Sequence, residues 1–170
     1  TPLWPAITDA AVRDDYAWIG RAYRRLILMA LGFSMAVAAV LGLLGTILIP
    51  FWAGDAVHTT TTLNVVMGTY FIIWMWNHSH AMVLYGLGRM WAVAWTMLAE
   101  GALVLAFAAV LVPRYGVLGT AIGLCLAGSG VTAWILPLLV RRTLAHPVPI
   151  AVRDVMPVVP AESPLSEEVR

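Results

Sequence analysis

Apolar residues gather along this chain in four long blocks, and the charges fall almost entirely between them. The first block runs from Leu26 to about Ile49, with no charge between Arg25 and Asp55. The second runs from about Leu63 to Leu87 and is uncharged between Asp55 and Arg89. The third, about Met90 to Val112, holds Glu100, the only charge in the 24-residue interval between Arg89 and Arg114. The fourth runs from about Val117 to Val140, uncharged between Arg114 and Arg141. A bilayer core about 30 Å thick needs about 20 apolar residues in a helix, and lipid offers no partner to a free backbone group. The pattern predicts an all-α, polytopic membrane bundle with four transmembrane helices over residues 26–142.

Ahead of the first block, Val12, Tyr16, Ile19, Tyr23 and Leu26 recur at spacings of 4, 3, 4 and 3, which puts them on one helical face. Thr8 is placed to cap such a helix, and Asp9 precedes Arg13 by one turn. Residues 1–25 therefore read as a cytoplasmic entry segment with an amphipathic interfacial helix, preceded by a break at Pro2 and Pro5 and running directly into the first span. After Arg142 the character changes. Pro147, Pro149, Pro157, Pro160 and Pro164 precede a polar end, so residues 143–170 are expected to form a disordered cytoplasmic tail. Thr1 is not Met and no signal-like segment opens the chain, which reads as a piece of something longer.

Composition agrees with the pattern. The chain is 61% hydrophobic and 11% charged with a mean hydropathy of +0.86, whereas soluble domains carry about a quarter charged residues. A formal net charge of +1 gives no reason to expect a nucleic-acid partner. The single cysteine, Cys125, excludes an internal disulfide and any multi-cysteine metal site, and its apolar setting reads as a small buried hydrophobe. The basic residues are all arginine, and eight of the ten fall on one side of a four-span topology, with Arg114 on the other. The positive-inside rule then puts both ends of this segment in the cytoplasm, with Asp55, His58 and Thr59–Thr62 facing outward. Trp52 and Tyr115 suit the outer interface and Trp91 the inner one.

Few residues carry chemistry, and none makes an enzyme. No loop is long enough for a catalytic domain. Asp14 and Asp15 sit where solvated charge is expected, and Asp55 lies on the opposite side. No cofactor is implied. His78 and His80 are two apart and so point to different faces of a helix, where a metal pair needs spacing of three or four. Asn77 and His80 do share a face. Two readings remain for these three: polar lining of a water-filled cavity, or interhelical hydrogen bonds that only hold helices together. Gly119, Gly123 and Ala127 recur every four residues, followed by Gly128 and Gly130, which lets a neighbouring backbone approach closely.

Glu100 stands apart. A charge at mid-bilayer costs at least about 2.5–3.5 kcal/mol on insertion scales, so such residues face a bundle interior or a water path. It can belong to a transport pathway, exchanging a proton or binding a cation, or it can pair with an arginine on another helix. Arg89 and Arg114 are each more than ten residues away, at the membrane faces.

Two stretches resemble a known family. TPLWPAITDAAVRDDYAWIGRAYRRL is similar to the segment entering the second half of bacterial polysaccharide-biosynthesis flippases of the MOP superfamily, the lipid-linked oligosaccharide translocase type. LYGLGRMWAVAWTMLAEGALVLAFAAVLVPRYGVLGTAIG resembles their glycine-arginine, helix, leucine-valine-proline-x-tyrosine-glycine pattern through Gly86, Gly88, Arg89, Leu111, Val112, Pro113, Tyr115, Gly116, Gly119 and Ala121. Pro137, Arg141 and Arg142 also fit, so the likeness covers roughly residues 1–142. Where such flippases often carry Asn after the acidic position, this chain has Val104 and Ala108. Read alone, the block has Pro113 ending the third span, Gly116 allowing the reversal and Gly119 opening a close-packed fourth.

The resemblance implies a two-lobe transporter in the bacterial inner membrane, working by alternating access, of which this chain would be the last four helices. Its partners would be the missing N-terminal helices, membrane lipid and a lipid-linked oligosaccharide substrate. Asn77, His78 and His80 would touch sugar, and Glu100 would couple an ion or pair with a cation. The competing reading is a complete four-helix scaffold or subunit of an envelope complex, with Glu100 paired to a partner subunit.

Overall fold

The structure is a computed structural model, and it describes residues 3–54 and 57–146. Those residues form helices and no strand. In chain order they are α1 (Leu3–Val12), α2 (Tyr16–Ala53), α3 (Thr61–Gly86), α4 (Met90–Tyr115), α5 (Val117–Ala127) and α6 (Ala133–Ala145), with a π-helical turn, Gly128–Thr132, joining the last two into one rod. Among the described residues, three helices are long and apolar enough to cross a membrane: α2, α4 and the rod Val117–Ala145. The fourth expected span is α3, a helix of 26 residues whose Asn64, Tyr70, Asn77, His78 and His80 dilute its apolar character.

The contacts give the directions. Gly45 lies against Asn64 and Tyr23 against His80, so α2 and α3 run antiparallel. The α4–α5 hairpin is also antiparallel, with Gly123 against Phe107. By contrast α3 runs parallel to the rod, since Cys125 bonds near Val66 and Asn77 near Thr132. The start of α2, the end of α3, the start of α4 and the end of α6 therefore share one end of the bundle. Arg21, Arg24, Arg25, Arg89, Arg141 and Arg142 lie at that end and Arg114 at the other.

The outer surface is not that of a water-soluble bundle. Large apolar side chains such as Leu43, Ile47, Phe51, Trp91, Trp95, Leu105 and Trp134 lie on the outside, each more than 60% exposed. Ser34, Asn64, Asn77, Ser79, His80 and Thr132 are buried. Apolar outside and polar inside is the arrangement that lipid favours, because polar groups there find partners only within the bundle.

Helix boundaries correct the sequence reading in five places. The single amphipathic helix into the first span is two helices. Asp14 adopts φ +57, and the Asp15 side chain accepts from the Trp18 N–H at 2.9 Å, capping α2. Val12 consequently leaves the common face and is exposed, while Ile19 stays buried. Thr8 is inside α1 rather than its cap. Its hydroxyl meets the carbonyls of Trp4 at 3.1 Å and Gly86 at 3.0 Å. Pro5 likewise falls within the first turn of α1, where a missing N–H costs nothing, while Pro2 lies outside the described residues. Pro113 does not end its helix: α4 runs on to Tyr115 and stops at Gly116, whose φ of +58 makes the reversal. Residues 143–145, assigned to the tail, continue α6, and residues 147–170 lie outside the described residues. Asp9 and Arg13 do pair across one turn, an exposed contact.

The segment α1 docks on α3 by an apolar contact, burying Ile7, Ala10 and Ala11 in the cluster that also holds Leu84, Val93, Leu136 and Val140. A Cβ on Gly86 would come within 2.6 Å of Ile7 Cβ and 2.9 Å of the Trp4 carbonyl oxygen. Gly86→Ala should therefore push α1 off α3 at a cost of about 1–3 kcal/mol. Faster tryptic cleavage at Arg13 is the readout. Gly20→Ala, whose new methyl meets nothing within 4 Å, should leave that rate unchanged.

Candidate functional site

The functional candidate is a polar chain across three helices, built from Asn77 on α3, Thr132 at the end of the π-helical turn and Glu100 on α4. Asn77 Nδ2 donates to Thr132 Oγ1 at 2.5 Å. Thr132 Oγ1 lies 2.7 Å from Glu100 Oε2 and 3.0 Å from the Gly128 carbonyl oxygen. Asn77 Nδ2 also reaches that carbonyl at 3.4 Å. Thr132 and Asn77 are buried, and Glu100 is half-buried.

Local sequence explains why these atoms meet. Gly116 makes a hairpin, and Glu100 and Thr132 each lie sixteen residues from it, so they come to equal depth on facing helices. The helices stand close because Gly119 and Gly123 present no side chain. A Cβ on Gly119 would collide with the Leu111 backbone, and one on Gly123 would lie 3.2 Å from Phe107 Cβ. The packing read from this small-residue stripe is present, except that Gly130 faces open space. Gly128 is equally constrained, since a Cβ there would sit 3.0 Å from Ile73 Cγ2 and 3.2 Å from Glu100 Oε1. The π-helical turn adds one residue to the hydrogen-bonded ring, with Ala133 N–H bonding back to Gly128.

The hydroxyl of Thr132 has one proton and two acceptors beside it. With Glu100 ionised, the shorter contact is the charge-assisted one and Thr132 donates to the carboxylate. With Glu100 protonated, the acid can donate to Thr132, whose own proton then turns to the Gly128 carbonyl. Of these two contacts, Glu100–Thr132 joins α4 to the rod, while Thr132–Gly128 lies within the rod. Asn77 Oδ1, buried on the same side chain, has no hydrogen-bond partner among the described residues. Nor does any arginine reach Glu100, since the ion pair among the described residues is Asp9–Arg13.

The two histidines stand apart from this chain. His80 is fully buried, with Nδ1 2.6 Å from the Trp76 carbonyl oxygen and its ring against Trp76 and Tyr23. Its Nε2 has no hydrogen-bond partner among the described residues. His78, half-buried, stacks on Trp74 with ring centroids 5.2 Å apart. Asn77 and Glu100 are thus brought together, and His78 and His80 are not. Trp76 has a separate task. Pro137 cannot donate to the Ala133 carbonyl one turn earlier, and the Trp76 indole N–H fills that vacancy at 3.1 Å. No group of three or more His, Cys, Asp or Glu side chains converges as a metal site among the described residues.

No protein-family model, no curated protein and no solved structure matches this chain. The functional reading therefore rests on its own residues and geometry.

Thr132 is the site residue that sequence reasoning passed over, and Gly128 was read only as part of the small-residue stripe. The signal available was the equal spacing of Glu100 and Thr132 from Gly116. Replacing Thr132 by Val keeps the shape and removes the bridge, leaving Asn77 and Glu100 short of a partner, at a cost of about 1–3 kcal/mol. Thr132→Val should lower the thermal midpoint in detergent, and Thr132→Ser should restore most of it. A loss below about 0.6 kcal/mol, the average for hydrogen bonds between membrane helices, would show that the bridge is ordinary interhelical glue.

Proposed function

We propose that this chain forms the last four membrane helices of a MOP-type polysaccharide flippase, which moves lipid-linked oligosaccharide across the bacterial inner membrane by alternating access. The observation that carries the reading is the Asn77–Thr132–Glu100 chain, a carboxylate with no ion pair among the described residues in a bundle whose outer surface is apolar. An ionisable group so placed is suited to coupling an ion to movement of the helices that hold it. The hairpin at Gly116, with Gly119 packed onto the α4 backbone, gives a physical role to the residues that carry the family resemblance.

In this reading α3 is the fourth span, its buried polar residues turned inward, and α1 lies at the cytoplasmic interface with Ile7, Ala10 and Ala11 against α3. Both ends of the segment are cytoplasmic, at the arginine-rich end of the bundle. Glu100 couples the ion, Thr132 and Asn77 set its hydrogen bonding, and the Trp74–His78 stack offers a flat surface suited to a sugar. His80, enclosed by Trp76 and Tyr23, keeps a structural place. The remaining helices of the transporter complete the cavity.

Glu100→Gln in the intact protein should insert at the normal level and lower cell-surface polysaccharide about tenfold or more, the rate equivalent of one charge-assisted hydrogen bond. Lipid-linked precursor should accumulate. Normal surface polysaccharide at equal membrane level would remove Glu100 from the mechanism. A separate measurement separates transporter from scaffold. An antibody against ESPLSEEVR should detect a native membrane product well over twice the 18.4 kDa of this chain. A product at 18.4 kDa would favour the self-contained four-helix scaffold.

A further inference from the structure

A cleft opens at the arginine-rich end of the bundle, away from Glu100. Its volume is about 340 Å³, and it is lined by Leu84 at the end of α3, Arg89 at the start of α4, and Leu139, Arg142, Thr143 and His146 at the end of α6. That volume lies within the usual range for small-molecule sites, roughly 300–1,000 Å³. No acidic residue lines it. Among the described residues neither Arg89 nor Arg142 makes an ion pair. Arg89 is also the residue from which α4 begins, and no side chain caps that helix end. The first N–H groups of α4 add partial positive charge to the two guanidinium groups.

We propose that this cleft binds the phosphate of an anionic phospholipid headgroup, with Arg89 and Arg142 as the charged contacts. Arginine suits phosphate because its planar fork can donate two parallel hydrogen bonds. Thr143 adds a hydroxyl at the same mouth, and His146 adds ring nitrogens. The walls decide between a lipid and a free anion. Leu84 and Leu139 give the cleft an apolar side, which suits the glycerol and upper acyl carbons of a lipid and offers nothing to inorganic phosphate. Basic clefts between membrane helices on the cytoplasmic side are where anionic headgroups concentrate. A lipid there would tie together the end of α3, the start of α4 and the end of α6, and α3, α4 and the rod that ends in α6 carry the Asn77–Thr132–Glu100 chain. The inference stands on the cleft alone and does not depend on the transport reading.

The test uses the full chain purified in detergent, with native mass spectrometry counting the lipid molecules retained. Phosphatidylglycerol and phosphatidylcholine are added in parallel at equal concentration. One phosphatidylglycerol per chain should be retained at least about tenfold more strongly than phosphatidylcholine, a difference of about 1.4 kcal/mol. Arg89→Gln with Arg142→Gln should abolish that preference. Arg25→Gln with Arg141→Gln, an equal loss of charge on exposed arginines that do not line the cleft, should preserve it. Arg142→Gln alone gives an intermediate loss and guards against misfolding of the double variant. Excess inorganic phosphate should not displace the lipid. Equal retention of both lipids, an unchanged preference in the Arg89/Arg142 variant, or an equal loss in the charge-matched control would overturn the proposal. Displacement by inorganic phosphate would reassign the cleft to free anions and overturn the lipid reading.

Discussion

A membrane interior supplies no water to a polar side chain, so each polar group inside must be answered by another group of the same protein. This requirement organises the bundle more than apolar attraction does, because lipid tails are as apolar as leucine. The single hydroxyl of Thr132 meets it for three helices at once, accepting from Asn77 and sitting against both Glu100 and the Gly128 carbonyl. The Trp76 indole meets it again at Ala133, where Pro137 has removed the natural donor. Thr8 does the same at the surface of α3, where the Gly86 carbonyl lies beyond the last intrahelical N–H. These three contacts between elements each fill a particular deficit in the backbone or in a neighbouring side chain.

Small residues make those contacts geometrically possible. Glu100 reaches Thr132 because α4 and α5 close at Gly119 and Gly123, and Asn77 reaches it because Gly128 leaves room beside Ile73. The same economy of volume operates at Gly68, where a Cβ would lie 3.1 Å from Ala38 on α2, and at Gly86 under Ile7. Helices packed through glycine touch along backbone rather than through interlocked side chains. Fewer side chains must repack when such helices slide. A bundle of this kind can rearrange one hydrogen-bonded bridge without dismantling a core, a property that suits a rocking transporter lobe better than a rigid scaffold.

The helical spans were legible from charge placement because the cost of burying a charge in lipid is large compared with any local propensity. Three of the four expected spans stand as long apolar helices, and α3 is the exception because its polar residues dilute its apolar character. Glycine spacing correctly marked the close approach of α5 to α4. Reading failed where a local rule met a tertiary contact. Thr8 looks like a cap, yet it bonds into α3. Pro113 looks like a terminator, yet a proline removes only one intrahelical bond and the chain turns where Gly116 can adopt positive φ. Val12 to Leu26 has unbroken helical periodicity, yet Asp14 and Asp15 break it, since a short carboxylate tolerates positive φ and caps the next helix.

Of the site, Glu100 was visible as a lone charge and Asn77 as a polar residue in an apolar helix, but the residue joining them was not. Thr132 is uncharged, β-branched and common in membrane helices, so nothing about its type sets it apart. Its meaning comes from the hairpin: once Gly116 is taken as the reversal, Thr132 is the polar residue that reaches the depth of Glu100 on the opposite limb. The π-helical turn then completes what spacing begins, since the extra residue in the ring places the Gly128 carbonyl where both Thr132 and Asn77 reach it. A carboxylate with a hydroxyl on one side, and beyond it a carbonyl able to receive that hydroxyl's proton, has two hydrogen-bonded states of the same shape.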